Sequence, residues 1–589
     1  MKNLLVKFLT WRLKHISTKN FVLMLSGLVG LVAGIAAVVL KSTVHELYHL
    51  LSTVDIGGFD YLYLAYPFIG IFISALLMKY IFKEKSGHGI TNILFAISKR
   101  SSIIKSAKMY SAMVTSAITV AFGGSVGLES PIVVTGSAIG SNIGRVMHLS
   151  FKKRTLLIGC GAAGGISAIF DSPIAGVIFS IEVILADITI AAFIPLLIAS
   201  VCGALVSLVL LGDEILFSFK LTDPFTAYDV PFYIVLGIIC GLVSVYFVRI
   251  NYFLEDALKK VRSDISKAVW GGFMLCLIIL IFPPIYGEGY NFIKLLLNGK
   301  EYEILENNII FGGMDSYGFL LLFILGIILV KPLASALTIG AGGSGGMFGP
   351  SLFLGGMTGY FVAEAMSLLP IEYHLSSQNF TLVGMCGIMS GILGVPLTAI
   401  FLIAEVTSGY TLFVPLMLVS AISYSTFSYF EKYSLYSKQL IEKGDFIPYD
   451  KDRQVLNLID LFKIIETDLL TIHPDAKLED LVKLVRASKR NIFPVVDENK
   501  KLVGVVTLDD IREIMFDEAS RKSRIVKSLM NEPPEQVSTT ENMQSVMNKF
   551  EKTGAWNLPV IDQGEYVGFI SKSRIFNAYR KKLIRQQQE

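Results

Sequence analysis

The residue with the clearest capacity for chemistry is Glu129, in the run GGSVGLESPIVVTGSAIGSNIGR from Gly123 to Arg145. It sits among small residues at the mouth of an apolar helical stretch. An ionisable side chain inside a hydrophobic region is costly and is by default a functional candidate. Gly127, Ser130 and Pro131 leave the adjoining backbone open, and Pro131 suits a first helical turn. Unpaired N–H groups at such a start attract anions. Glu129 therefore reads as a charged lid over an anion site, with a capping glutamate as the plainer alternative. Glu182 and Glu405 each follow a proline by nine positions, Pro173 and Pro396. They suit an ion path or hydrogen-bonded packing. HELYH, His45 to His49, fits H-E-x-x-H, which on a helix presents two zinc ligands with Glu46 as base. His15, His88, His148, His374 and His473 supply no partner pattern. An intramembrane zinc protease is thus the remote reading, and HELYH is expected to end the first long span. Neither a catalytic set nor a metal site is assigned.

The elements that must position Glu129 follow from composition. Of 589 residues, 53% are hydrophobic and 17% charged, too apolar for an ordinary soluble enzyme. The chain reads as a polytopic membrane protein. Lys and Arg are absent between Arg154 and Lys220 and between Lys331 and Lys432, whereas the last 140 or so residues have a soluble composition. A net charge of +4, spread over scattered loops, gives no sign of nucleic-acid binding. Cys160, Cys202, Cys240, Cys276 and Cys386 lie in apolar segments without a CxxC spacing and read as buried hydrophobes. The first 20 residues form a basic amphipathic segment along the cytoplasmic face, without the h-region of a cleavable signal. Basic residues at 83–105 and 152–154 mark further cytoplasmic connections.

Phe21 to Leu40 and Tyr61 to Phe82 are long enough to span a bilayer. Later apolar runs are expected to break at Ser86–Ile90, Gly123–Pro131, Gly159–Pro173, Gly340–Pro350 and Gly384–Pro396. Broken helices at membrane depth are tolerated where they line a wet cavity or are buried in protein. An internal repeat supports a transporter interior: CGAAGGISAIFDSPIAGVIFSIE from Cys160 matches CGIMSGILGVPLTAIFLIAE from Cys386, and GLESP at 127–131 stands opposite GMFGP at 346–350. Two similar halves point to a site between them, near the midplane.

At these motifs the chain resembles the CLC family of chloride channels and chloride/proton exchangers. The family signatures GSGIP, GREGP and GxFxP appear as GHGIT (Gly87–Thr91), GLESP (Gly127–Pro131) and GMFGP (Gly346–Pro350), followed by Tyr436 in YSLYSKQL. The resemblance implies an all-α polytopic membrane domain, an inverted repeat with broken helices, assembled as a homodimer with one pore per subunit. It implies that the amides of Met347, Phe348 and the residues around Glu129, Leu128 and Ser130 hold an outer anion. Gly87, His88, Gly89 and Tyr436 would flank a central one. Glu129 would compete with the anion and swing away, or take a proton, to open the path. The three loops contain no Lys or Arg, so dipoles would attract the ion without gripping it.

Departures from the family pattern carry information. His88 replaces the central serine, so its ring N–H or only its backbone amide serves the anion. Thr91 replaces proline and Leu128 replaces arginine, which leaves the anion preference open. Val183 replaces the inner proton-relay glutamate of the exchangers, and an aliphatic side chain relays no proton. The expectation is therefore a Glu129-gated chloride channel, with a chloride/proton antiporter as the alternative.

The tail repeats again: FPVVDENKKLVGVVTLDDI (Phe493–Ile511) matches LPVIDQGEYVGFISKSRI (Leu558–Ile575). Each copy reads as strand, turn, strand and helix start, preceded by an amphipathic helix such as Leu478–Ser488. This resembles a tandem CBS pair, an α/β module. The resemblance implies an adenine nucleotide at Thr507 and Asp510, with Ser571 and Arg574 in the second copy, or else a purely structural dimerisation module. The expected organisation is an N-terminal segment 1–20, a membrane domain 21–440 with halves 21–215 and 230–440, a linker 441–464, and CBS copies 465–525 and 526–585. The reading places the chain in the cell membrane, multi-pass, with both the N-terminus and the tail cytoplasmic. Chloride-like anions and protons would be its partners, and transport itself would need no cofactor.

Overall fold

The computed structural model describes residues 2–53, 62–84, 89–99, 101–185, 190–212, 225–261, 263–306, 310–311, 316–368, 370, 375–407, 409–442, 456 and 459–588. Two compact units emerge, Met1–Pro448 and Tyr449–Glu589.

The first unit is helical. Among the described residues six helices are long and apolar enough to cross a membrane: Thr18–Ser52, Ala191–Leu211, Ala227–Lys259, Asp264–Ile281, Tyr317–Gly340 and Phe413–Lys438. The Thr18–Ser52 helix starts where the Ser17 side chain accepts from the Asn20 amide. At 35 residues it is about 50 Å long, against a hydrocarbon core of about 30 Å. Its last turns must therefore leave the apolar layer, and His45, Glu46 and His49 are exposed there. Tyr61–Phe82 is shorter than expected. The α-helix begins at Tyr66 with Pro67 in its first turn, runs to Leu76 and ends in a π-helical turn, Leu77–Ile81; Tyr61 lies outside the described residues.

Two of the expected breaks, Gly159–Pro173 and Gly384–Pro396, fall only at the C-terminal ends of those ranges. Phe151–Phe170 runs unbroken through Gly159, Gly161, Gly164 and Gly165, and Ser377–Leu393 runs unbroken through Gly384, Gly387 and Gly391. These glycines serve close packing. A Cβ on Gly161 would lie 1.9 Å from the Gly136 carbonyl oxygen of the Glu129–Val146 helix. In the second half, a Cβ on Gly384 would lie 2.4 Å from the Gly355 oxygen of the Phe348–Ser367 helix. Without a hydrophobic drive between helices in lipid, such backbone-to-backbone contact supplies the packing. Both helices end only afterwards, at left-handed residues Asp171 and Gly394. Each is followed by a short helix that opens on proline, Pro173–Phe179 and Pro396–Val406.

The second unit carries the two expected copies. β1 (Ile492–Val496) pairs antiparallel with β2 (Leu502–Thr507), placing Phe493 opposite Val506. β3 (Val537–Ser538) runs parallel to β4 (Asn557–Asp562), which pairs antiparallel with β5 (Glu565–Ser571). The amphipathic helices Leu478–Ala487 and Met543–Thr553 cover them. The copies also exchange segments. Glu466, at the start of the first copy, bridges to Phe569 of the second, while Asn531 of the second bridges back to Val505. Ile459, Leu461 and Ile464 accordingly sit in the core with Val546, Phe550 and Leu558.

Candidate functional site

The two Gly-rich signatures meet. Gly127 and Gly346 form an antiparallel bridge in which each amide donates to the other's carbonyl, at 3.0 and 2.8 Å. Immediately afterwards the Glu129–Val146 and Phe348–Ser367 helices begin, so two helix starts converge on one point. First-turn amides have no intrahelical acceptor and the aligned dipoles make the region favourable to negative charge. Glu129 supplies that charge. Its side chain is 1% exposed; Oε2 accepts from the Gly349 amide at 3.3 Å, and Oε1 accepts from the Tyr290 hydroxyl at 2.5 Å. The carboxylate folds back into room left by Gly127, where a Cβ would lie 2.0 Å from Oε2.

Leu128, Ser130, Met347, Phe348 and Tyr436 are all buried around this point. The Tyr436 hydroxyl stands 3.4 Å from Ser130 Oγ. Phe348 turns its ring toward Phe170 and Phe179, with centroids 5.4 and 6.2 Å away, leaving its backbone as the polar part. Gly89 opens the Gly89–Lys99 helix and packs against Val134. Gly87 and His88 lie outside the described residues. The sequence points to the Met347 and Phe348 amides at the outer site; the amide that holds the Glu129 carboxylate is the next one, Gly349.

A small recess runs beside Ser130, with Gly89, Ser344 and Gly345 among its lining residues. Its walls also carry Ser111, Thr115 and Lys108, the last paired with Glu84 at 2.6 Å. Glu182 and Glu405 sit elsewhere and in equivalent roles. Glu405 accepts from the Ile174 and Ala175 amides at 2.9 and 2.8 Å, capping the Pro173 helix of the other half. Glu182 accepts from the Leu397 and Thr398 amides at 3.2 and 2.9 Å and from the Thr398 hydroxyl at 2.6 Å, capping the Pro396 helix. This exchange of caps is what a two-fold relation between the halves generates, and it realises the packing reading of both acids. Val183, one residue on, is in the π-helical turn Ser180–Leu185 and packs against the apolar core.

Three residues escaped the sequence reading. Tyr290 donates its hydroxyl to Glu129 Oε1. Glu288 Oε1 accepts from the Leu128 amide at 3.1 Å. Lys331 is 0% exposed, donates to Ser125 Oγ at 2.9 Å and lies 4.6 Å from the centre of the Phe353 ring. The loops themselves carry no cation, as expected, yet a helix brings one to the first loop. The available signal was Lys331 itself, alone in the apolar run YGFLLLFILGIILVKPLASALTIG.

In the tail, Thr507 and Asp510 form a capping box: Asp510 Oδ2 accepts from the Thr507 amide and hydroxyl at 2.7 and 2.6 Å. Asp510 Oδ1 accepts from Asn531 Nδ2 at 3.0 Å. Ser571 donates to Glu466 at 2.7 Å and accepts from the Arg574 amide at 3.3 Å, while the Arg574 side chain is exposed. The His45, Glu46 and His49 side chains belong to no group of three metal-ligand residues among the described residues.

Fold and site together define a helical membrane transporter in which two related halves present helix starts across a carboxylate. The chain belongs to the CLC family: the family model described as "Voltage gated chloride channel" matches residues 69–428, and CBS domains match residues 461–517 and 526–581. The "H(+)/Cl(-) exchange transporter ClcA" of Vibrio cholerae is 27% identical over 417 residues, 68% of this chain and 84% of that protein. "Chloride channel protein CLC-f" of Arabidopsis thaliana is 26% identical over 489 residues, 74% of this chain and 61% of that protein. A solved eukaryotic CLC transporter superposes with a TM-score of 0.60 at 18% identity, covering 95% of this chain and 99% of the other, and so shares the fold.

Proposed function

We propose that this protein exchanges chloride, or a similar small anion, for protons across a membrane, with Glu129 as both lid and proton carrier. The observation that carries the reading is the Glu129 carboxylate bonded to Gly349 N at the meeting of two helix starts. A carboxylate there occupies the position an anion would take, and protonation removes the charge that competes with the anion. The sequence reading preferred a channel; the name of the Vibrio relative favours exchange. Passive Glu129-gated conductance stays as a second reading on one observation, the packing of Val183 against the apolar core, which offers no inner relay.

The working unit proposed is a homodimer, multi-pass in the cell membrane, with the N-terminal segment and the CBS pair on the cytoplasmic side. Transport needs no resident cofactor. An adenine nucleotide at the CBS pair would have to compete with the internal bonds of Asp510, so a structural role for the pair is the companion proposal. No zinc chemistry is assigned to HELYH.

Reversal potentials under a pH gradient decide the coupling. Purified protein in a planar bilayer should give a reversal potential that moves with the proton gradient at fixed stoichiometry. A potential that follows the anion gradient alone overturns exchange in favour of the channel.

A further inference from the structure

Glu129 is one of two carboxylates at the meeting of the halves. It occupies an amide of the second-half helix, Gly349 N, while Glu288 occupies the amide at the start of the first-half helix, Leu128 N, at 3.1 Å. The two acids come from segments 159 positions apart, and each bonds a helix start. Glu288 is partly buried, whereas Glu129 is enclosed. Glu288 feels the charges of Glu129, of Lys331 from the Tyr317–Gly340 helix and of Lys41 from the Thr18–Ser52 helix. Tyr290, two residues beyond Glu288, donates to Glu129 and is a further titratable neighbour of both acids.

Resting on the anion-transport reading above, we propose that Glu288 is a second gating carboxylate: it plugs the Leu128 amide as Glu129 plugs Gly349, and both must be displaced or protonated before an anion is held by the two helix starts together. The geometry gives each half its own tethered anion. A free anion entering the site has to win two amides from two side chains that are already in place. The charges of Lys331, fully buried, and of Lys41 act against the repulsion that Glu129 exerts on Glu288. A proton on Glu288 removes one of the two plugs without any movement of Glu129. The lost arginine of the GREGP signature fits this arrangement: at position 128 the side chain is aliphatic and only the backbone N–H offers a contact, which Glu288 takes.

The test is chloride efflux from proteoliposomes of full-length protein over a range of pH, for wild type, Glu129→Gln, Glu288→Gln and the double variant. Glutamine keeps the size of the side chain and an oxygen that can accept from Leu128 N, so a purely structural role would leave the pH profile of Glu288→Gln as in wild type. The proposal expects Glu288→Gln to raise efflux several-fold at alkaline pH and to shift the profile, and it expects pH dependence to vanish only in the double variant. Lys331→Met serves as a second probe, since loss of the ammonium should move the pH midpoint of efflux upward when Glu288 is present and by less in Glu288→Gln. A wild-type profile in Glu288→Gln, or an equal Lys331→Met shift in both backgrounds, overturns the proposal. Wild-type vesicles that move no anion would instead sink the transport reading beneath it, so the two failures are separable.

Discussion

Tyr290→Phe tests whether the lid is held closed by what the geometry shows. The phenol donates to Glu129 Oε1 at 2.5 Å, and the only other bond to that carboxylate described from outside its own helix, Gly349 N to Oε2, is longer at 3.3 Å. A hydrogen bond to an ionised group is worth about 1.5–3 kcal/mol. At 1.4 kcal/mol per factor of ten, its loss should shift the closed-to-open ratio of the lid by about 10- to 100-fold. Chloride efflux from proteoliposomes near neutral pH should therefore rise until a step other than lid opening limits it. A double-mutant cycle gives the control: in a Glu129→Ala background the phenol has no carboxylate to hold, and Tyr290→Phe should add nothing. Thermal melts of each variant separate a loosened lid from a damaged fold. Equal efflux for Tyr290→Phe and wild type across the pH range, with unchanged melting, would refute the argument that this hydroxyl keeps the path shut.

Further outcomes follow from the same structure. Gly127→Ala puts a methyl 2.0 Å from Glu129 Oε2, so the carboxylate must retreat by roughly 1 Å to reach even a 3.0 Å contact; efflux should rise as in Glu129→Gln, and a fall would count against the folded-back lid. Glu182→Ala and Glu405→Ala each remove an inter-half helix cap and should lower stability by about 1–2 kcal/mol in thermal melts, while the surviving transport keeps its pH response; a lost pH response would return these acids to the ion path. In the tail, Thr507→Val breaks the capping box and should cost about 1 kcal/mol, read as earlier melting of the tail. Burial would push the Glu541 carboxyl up, but the Lys549 ammonium at 2.7 Å, the Ser538 amide and the Ser545 hydroxyl hold it below the usual range. Its contribution to stability is thus complete above the unfolded glutamate value of about 4.3 and is lost as pH falls through the folded value. Acid titration of Glu541→Gln followed by tail fluorescence should show a flatter dependence than wild type.

The amino-acid sequence by itself determined the family and the doubled tail and singled out Glu129, because each is written in neighbouring letters. Glu129 is legible since a charge beside glycine and proline in an apolar run has few structural excuses, and β1–β2 and β4–β5 are legible since their strands alternate around short polar turns. The glycine runs located the breaks only to within a dozen residues: the same residue permits a chain break or a tight helix contact, and only the neighbour across the gap, Gly136 for Gly161 and Gly355 for Gly384, decides which. Partners far apart in the chain were also beyond local reading. Glu288 looks like a loop acid, Tyr290 like a helix start and Lys331 like a stray cation until the fold carries all three to the loop that holds Glu129. Tertiary structure likewise decided between the ion-path and packing readings of Glu182 and Glu405 by making each the cap of the other half's helix, since a helix start two hundred residues away is the group whose amides they satisfy.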